Sequence, residues 1–185
     1  MCIRDSHIRK YPIGIQSFED LRREGYLYVD KTALIYRLIT TGKPYFLSRP
    51  RRFGKSLLLS TLKAYFEGKK ELFEGLAIEK LEKQWAVHPV LHLSLNAEKY
   101  DSAERLHKQM DSQLLNWESQ YGCDAKDWTY SIRFMNVIKA AYEQTGQQVV
   151  VLIDEYDKPM LESLHDKELQ DQFRNILVAF YSVLK

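Results

Sequence analysis

Two short stretches limit what this chain can fold into more than anything else in it. The first is Arg49-Pro-Arg-Arg-Phe-Gly-Lys-Ser56, with an apolar run, Tyr45-Phe-Leu47, before it and a helix-forming run, Leu57-Leu-Leu-Ser-Thr-Leu-Lys-Ala64, after it. The second is Val149-Val-Val-Leu-Ile-Asp-Glu155, an apolar strand pattern that runs out into two acids. Strand, tight loop and helix is the setting in which a Gly-Lys-Ser sequence becomes a phosphate-binding loop (Walker A). An apolar strand ending in acids has the form of its usual companion, the Walker B motif. Neither half settles much alone; together, in this order, they make nucleotide binding the leading reading.

The chemistry explains the residue types. A polyphosphate is best held by groups that bring no desolvated counter-ion, and the backbone N–H groups and dipole at a helix start supply this. Gly54 lets the backbone approach closely, with Phe53 and Leu57 flanking the binding segment. Lys55 reaches the β- and γ-phosphates, and the Ser56 hydroxyl ligates Mg2+. In the pattern G-x-x-x-x-G-K-[ST] the first glycine falls on Arg49, so three of the four specified positions match. Arginine does not freely take a positive φ, so the loop entry differs, with Pro50 fixing the turn. Arg49, Arg51 and Arg52 add three guanidinium groups, which suit phosphate oxygens. Holding a γ-phosphate, binding nucleic acid and lying solvated on the surface all stay open for them.

Asp154 and Glu155 sit where the second apolar strand ends. One acid there holds Mg2+ through water, and the second takes a proton from an attacking water, a contribution of about 10²–10⁴-fold. The competing reading is that they cap the next helix or face solvent. The run Asp154-Glu-Tyr-Asp157 places three acids in four residues, and such crowding favours a nearby cation. Asp157 reads as a helix cap, because Lys158-Pro159-Met160 follows it.

These segments, together with Tyr11-Pro-Ile-Gly-Ile-Gln-Ser-Phe-Glu-Asp20 and the strand His88-Pro-Val-Leu-His-Leu-Ser-Leu-Asn96, resemble the bacterial AAA-ATPase-like family. The resemblance runs from Tyr11 to Lys185, and its most specific piece is Ser48–Ser56. The family's own loop is similar in carrying arginine where the first glycine is expected. The resemblance implies an α/β fold: a P-loop NTPase three-layer sandwich with a mostly parallel sheet, of the additional-strand, catalytic-glutamate type. It implies ATP and Mg2+ as ligands. Lys55 and Glu155 would be the catalytic residues and Ser56 and Asp154 the metal ligands. In many members a C-terminal domain similar to the PD-(D/E)XK nucleases follows.

Composition bounds the alternatives. The chain has 185 residues, 45% hydrophobic and 28% charged, within the range of one globular domain. A formal net charge of +2 does not support nucleic acid or an anionic membrane as partner. No apolar run approaches a membrane span, no signal peptide is legible, and Cys2 and Cys123 make no disulfide framework. A cytoplasmic setting is therefore the default. His88 and His92 read as structural. Residues 1–6, Met-Cys-Ile-Arg-Asp-Ser, resemble the translation of a sequencing adapter and are set aside as non-native or disordered. The domain is read as residues 7–185.

Caps and periodicity predict the remaining elements. Ser17 opens a helix with acids in its first turn, ended by Gly25. Asp30 caps a second helix through Leu34, Ile35, Leu38 and Ile39, closed by Gly42. The helix after the loop buries Leu58, Leu59, Leu62 and Phe66 and stops at Gly68. Residues 72–81 form a connector, with Phe73 and Trp85 as aromatic anchors. Val90–Leu95 is a core strand. Leu106, Met110, Leu114 and Trp117 stripe one long helix, and a further helix near Ile132–Thr145 ends at Gly146. Asp166 caps a last one through Leu169, Phe173, Ile176, Leu177, Phe180 and Leu184.

In an additional-strand fold the strand after Walker B inserts beside the P-loop strand. It would follow Lys185, so the chain reads as the N-terminal part of a domain, truncated before that strand. Three functions follow from the residues: ATP hydrolysis, a nucleotide-dependent switch that binds without turnover, and a basic nucleic-acid-binding module. Glu155 favours the first over the second, and the near-neutral charge disfavours the third. Tyr28-Val-Asp-Lys-Thr32 is a candidate approach to adenine or ribose, against a simple helix cap by Asp30.

Overall fold

The structure, a computed structural model, describes residues 10–42, 44–48, 50, 53–96, 99–123 and 128–184. The chain divides into two compact units, Met1–Val87 and His88–Lys185. Arg49, Arg51, Arg52 and residues 1–6 lie outside the described residues.

The first unit is helical. Helix α1 (Phe18–Arg23) starts where expected: the Ser17 hydroxyl accepts from the Asp20 N–H, with Glu19 and Asp20 in the first turn. Helix α2 (Thr32–Thr40) has Lys31, not Asp30, at its N-cap. Asp30 acts from one residue further out, its Oδ1 accepting from the Thr32 N–H (2.8 Å) and hydroxyl (2.6 Å) and its Oδ2 from the Ala77 N–H (2.7 Å). One carboxylate thus ties the start of α2 to that of α4 (Ala77–Leu81). Of the expected α2 stripe, Ile35 is buried and Leu34 is 61% exposed.

Helix α3 (Lys55–Phe66) follows the glycine-lysine-serine loop, and its packed face differs from the expected one. Leu62 is buried, but its buried neighbours are Thr61, Ala64 and Tyr65; Leu58, Leu59 and Phe66 are only half-buried. The reason is α1, which packs on α3 and sends the Phe18 N–H to the Ser60 Oγ at 2.8 Å. That contact goes with the Thr61, Ala64 and Tyr65 side of α3 being the buried one. A 3-10 turn (Lys70–Phe73) precedes α4, and Phe18, Tyr65, Phe73 and Trp85 pack edge-on or tilted, with centroids 4.9–6.3 Å apart. The expected strand at Tyr45–Leu47 is not formed: those residues belong to no strand of the described sheet and are 40–69% exposed. A strand needs a hydrogen-bonded neighbour, and among the described residues pairing is limited to the second unit.

In that second unit, strands β1 (Val90–Ser94) and β2 (Val150–Asp154) pair in parallel, Val90 opposite Val150 and Ser94 opposite Asp154. The connection between them is α5 (Ala103–Tyr121) and α6 (Tyr130–Thr145), the crossover a parallel pair requires. The expected stripe of Leu106, Met110, Leu114 and Trp117 is buried, and Gly122 and Gly146 end the two helices. After β2 come α7 (Lys158–Glu162) and α8 (Lys167–Tyr181), the latter capped by the Asp166 carboxylate on the Leu169 N–H (3.0 Å). Leu91, Leu93, Phe134, Val137, Phe173, Leu177 and Phe180 close the core. Trp117, Phe134 and Phe180 stack successively, at 5.6 and 4.5 Å between centroids. The fold is therefore α/β with a small parallel sheet among many helices. Among the described residues, no helix is long and apolar enough to cross a membrane.

Candidate functional site

In the first unit, the candidate phosphate loop opens with a change of hand in the backbone. Gly54 is the N-cap of α3 and stands at φ +73°, ψ +25°, a left-handed conformation that glycine takes without penalty. Its carbonyl already accepts from the Leu58 N–H at 3.0 Å. Because the cap is a glycine, it offers no side chain to the N–H groups of the first turn, which an anion would otherwise satisfy. Lys55 and Ser56 occupy the first two helical positions, and both are half-buried; Phe53 is 62% exposed. Among the described residues nothing lies within 4 Å of where a Gly54 Cβ would stand, so it is the dihedral angles that favour glycine here.

In the second unit, the candidate acids lie at the end of the sheet. The Leu95 N–H donates to the Asp154 carbonyl at 3.1 Å, the last bond of the ladder, and Asp154 and Glu155 follow directly. Asp154 Oδ1 accepts from the Glu155 N–H at 3.0 Å, which leaves its second oxygen outside that bond. Glu155 stands at φ +54°, a left-handed conformation that costs a side-chain-bearing residue of the order of 1–3 kcal/mol. Its carbonyl accepts from the Lys158 N–H at 3.0 Å, closing a turn into α7. Asp157 is the N-cap of α7 as expected, with Pro159 in the first turn, but its side chain makes no capping bond.

A residue that sequence reasoning missed is Lys158. Its ammonium donates to the Asn96 carbonyl at 2.9 Å, lies 3.8 Å from Glu162 Oε1 and sits 5.7 Å from the centre of the Tyr100 ring. Glu162 Oε2 in turn accepts from the Tyr100 N–H at 2.6 Å. The position was readable only as part of a cap sequence, since Asn96 and Tyr100 stand far from it in the chain.

The other candidates resolve simply. Asp30 and Thr32 form the helix-start network described above; burial raises the Asp30 pKa, but the hydrogen bonds from Thr32 and Ala77 outweigh it and hold the carboxyl below its usual range. His88 has Nδ1 at 2.9 Å from the Gln148 carbonyl, a structural role. Among the described residues, no group of three or more His, Cys, Asp or Glu side chains forms a ready-made metal cage. Lys55 and Ser56 belong to the first unit and Asp154 and Glu155 to the second.

An α/β chain with a glycine-led helix start and a parallel strand ending in paired acids defines a class on its own terms. Comparison places the chain within it: it belongs to the AAA-ATPase-like family, described as "Predicted AAA-ATPase", whose family model matches residues 12–185. It is also similar to an uncharacterized protein in the vnfD 5' region of Azotobacter chroococcum mcd 1, 41% identical over 178 residues. That match covers 96% of this chain and 34% of the relative, so the chain spans about a third of the relative's length. No solved structure matches.

Proposed function

We propose that this protein binds Mg-ATP and hydrolyses its terminal phosphoanhydride. The observation that carries the reading is the left-handed Gly54 at the head of a 12-residue helix, with Lys55 and Ser56 in its first turn. Backbone N–H groups of Lys55, Ser56 and Leu57 receive phosphate oxygens, the Lys55 ammonium neutralises charge on the β- and γ-phosphates, and Phe53 flanks the loop. Arg49, Arg51 and Arg52 are assigned to the same phosphates. Ser56 and Asp154 would hold Mg2+, which supplies charge stabilisation to the phosphates when bound. Glu155 orients and deprotonates the attacking water. The family description supports nucleotide binding in general, and the choice of adenine rests on it. We also read residues 7–185 as belonging to a three-layer P-loop domain with a mostly parallel sheet.

Two substitutions test the assignment. Lys55→Ala is expected to weaken Mg-ATP binding by about 1.5–3 kcal/mol, the worth of a charge-assisted contact; calorimetry giving equal affinities would end the phosphate-loop assignment. Glu155→Gln is expected to keep binding and lower turnover about 10²-fold or more. Binding without turnover in the parent protein would leave the nucleotide-dependent switch as the function.

A further inference from the structure

We propose that Lys158 is the positioning residue for Glu155, clamping the ends of the two strands so that the acid is held in its left-handed conformation. The importance of this for turnover rests on the reading above that Glu155 is the base; the conformational part does not.

The ladder between β1 and β2 ends at Leu95 and Asp154, and the next residues on the two strands are Asn96 and Glu155. Among the described residues the ladder goes no further, and one residue binds both strand ends. The Lys158 backbone N–H takes the Glu155 carbonyl at 3.0 Å, and its ammonium takes the Asn96 carbonyl at 2.9 Å. The ammonium is seated from two further sides. Glu162, one turn along α7, lies 3.8 Å away and anchors the Tyr100 N–H with its other oxygen, and the Tyr100 ring faces the ammonium at 5.7 Å. Tyr100 itself is fully buried, so this seat is fixed to the core.

The arrangement suits a strained residue. A glutamate at φ +54° is held there only if its surroundings over-determine it. The turn bond at its carbonyl sets the direction of the chain leaving Glu155, and the side-chain bond to Asn96 keeps that turn from swinging away from β1. An ordinary surface lysine does neither. With the Lys158 side chain 21% exposed and that of Glu162 30%, the pair is partly withdrawn from competing water.

The test uses the isotope-labelled full chain and reads Glu155 directly by NMR, with Mg-ATP turnover as a second readout. In the parent protein the Glu155 Cα and Cβ shifts and its amide-to-Hα coupling should show a left-handed residue. Lys158→Met should move them toward right-handed or extended values, and Lys158→Arg, which retains charge and donors, should restore them. In turnover, Lys158→Met should lower kcat by about 10–10²-fold, the cost of a misplaced catalytic group, with KM for Mg-ATP nearly unchanged and Lys158→Arg recovering most of the loss. Unchanged Glu155 shifts in a folded Lys158→Met protein would overturn the proposal, whatever the turnover. If that variant does not fold, Glu162→Gln, which loosens the ammonium's seat, is judged by the same Glu155 shifts. A parent protein with no turnover would count against Glu155 as base, and the shifts would still decide the role of Lys158.

Discussion

At the scale of single residues, the two left-handed positions of the candidate site are opposite cases. Gly54 adopts φ +73° at no cost, whereas Glu155 at φ +54° carries strain. Replacing Glu155 by glycine is therefore expected to stabilise the protein by about 0.5–1 kcal/mol, the relieved strain less the extra entropy of glycine. Glu155→Ala should bring no such gain, and denaturant midpoints of the two variants decide it: equal midpoints would mean that the backbone there is not strained. Asp30 supplies a pH-dependent case. Burial raises its pKa, but the bonds from Thr32 and Ala77 prevail and set the folded value below the 3.8 of a free aspartate. A lowered carboxylate pKa gives stability that is fully present above about pH 4 and lost as pH falls through the folded value. Asp30→Asn should thus cost about 1 kcal/mol at neutral pH, a figure kept small by solvent screening. The gap from wild type should close below pH 4 in chemical denaturation, and a gap constant from pH 7 to pH 3 would refute the assignment.

At the scale of elements, α5 and α6 are joined by a buried ion pair. Arg133 meets Glu118 with a two-pronged fork, both contacts at 2.7 Å, and also bonds the half-exposed Asp111. Arg133 and Glu118 are only 7% and 5% exposed. Breaking such a pair from one side strands a charge in the core, so Arg133→Met is expected to cost about 3–5 kcal/mol. The double variant Glu118→Leu, Arg133→Met should recover most of that, because no buried charge remains. Thermal or denaturant unfolding of the three proteins measures it, and a double variant as weak as the single one would show that packing rather than charge is responsible. The helices also show where local reading succeeds. Ser17 and Asp166 each accept the backbone N–H three residues on, an interaction contained within four consecutive residues. The buried face of α3 is not so contained. Leucines at 57, 58, 59 and 62 offer more than one apolar arc, and α1 selects among them.

At the scale of the whole molecule, the chain carries two cores drawn from separate residues, one around Phe18, Tyr65 and Phe73, the other around Leu91, Phe134 and Phe180. Local stability need not be uniform across such a chain. Arg133→Met is expected to speed amide exchange across α5, α6 and α8 while the slowest amides of α1 and α3 keep their wild-type rates; a uniform acceleration would show that both cores open as one. The sequence by itself determined the caps at Ser17 and Asp166, the glycine ends of α5 and α6, the long stripe of α5, the strand at Val90, the acid-ended strand at Val150 and the glycine-led start of α3. In each case the cause is short-ranged: a side chain meeting a nearby backbone group, a fixed apolar period or a dihedral that only glycine takes freely. Tertiary structure alone decided the face α3 buries, the bond from Asp30 to Ala77, and the absence of sheet pairing at Tyr45–Leu47. It also decided the clamp from Lys158 to Asn96, 62 residues apart in the chain. Those depend on which segments meet in space, and neither periodicity nor a motif encodes a partner so distant in sequence.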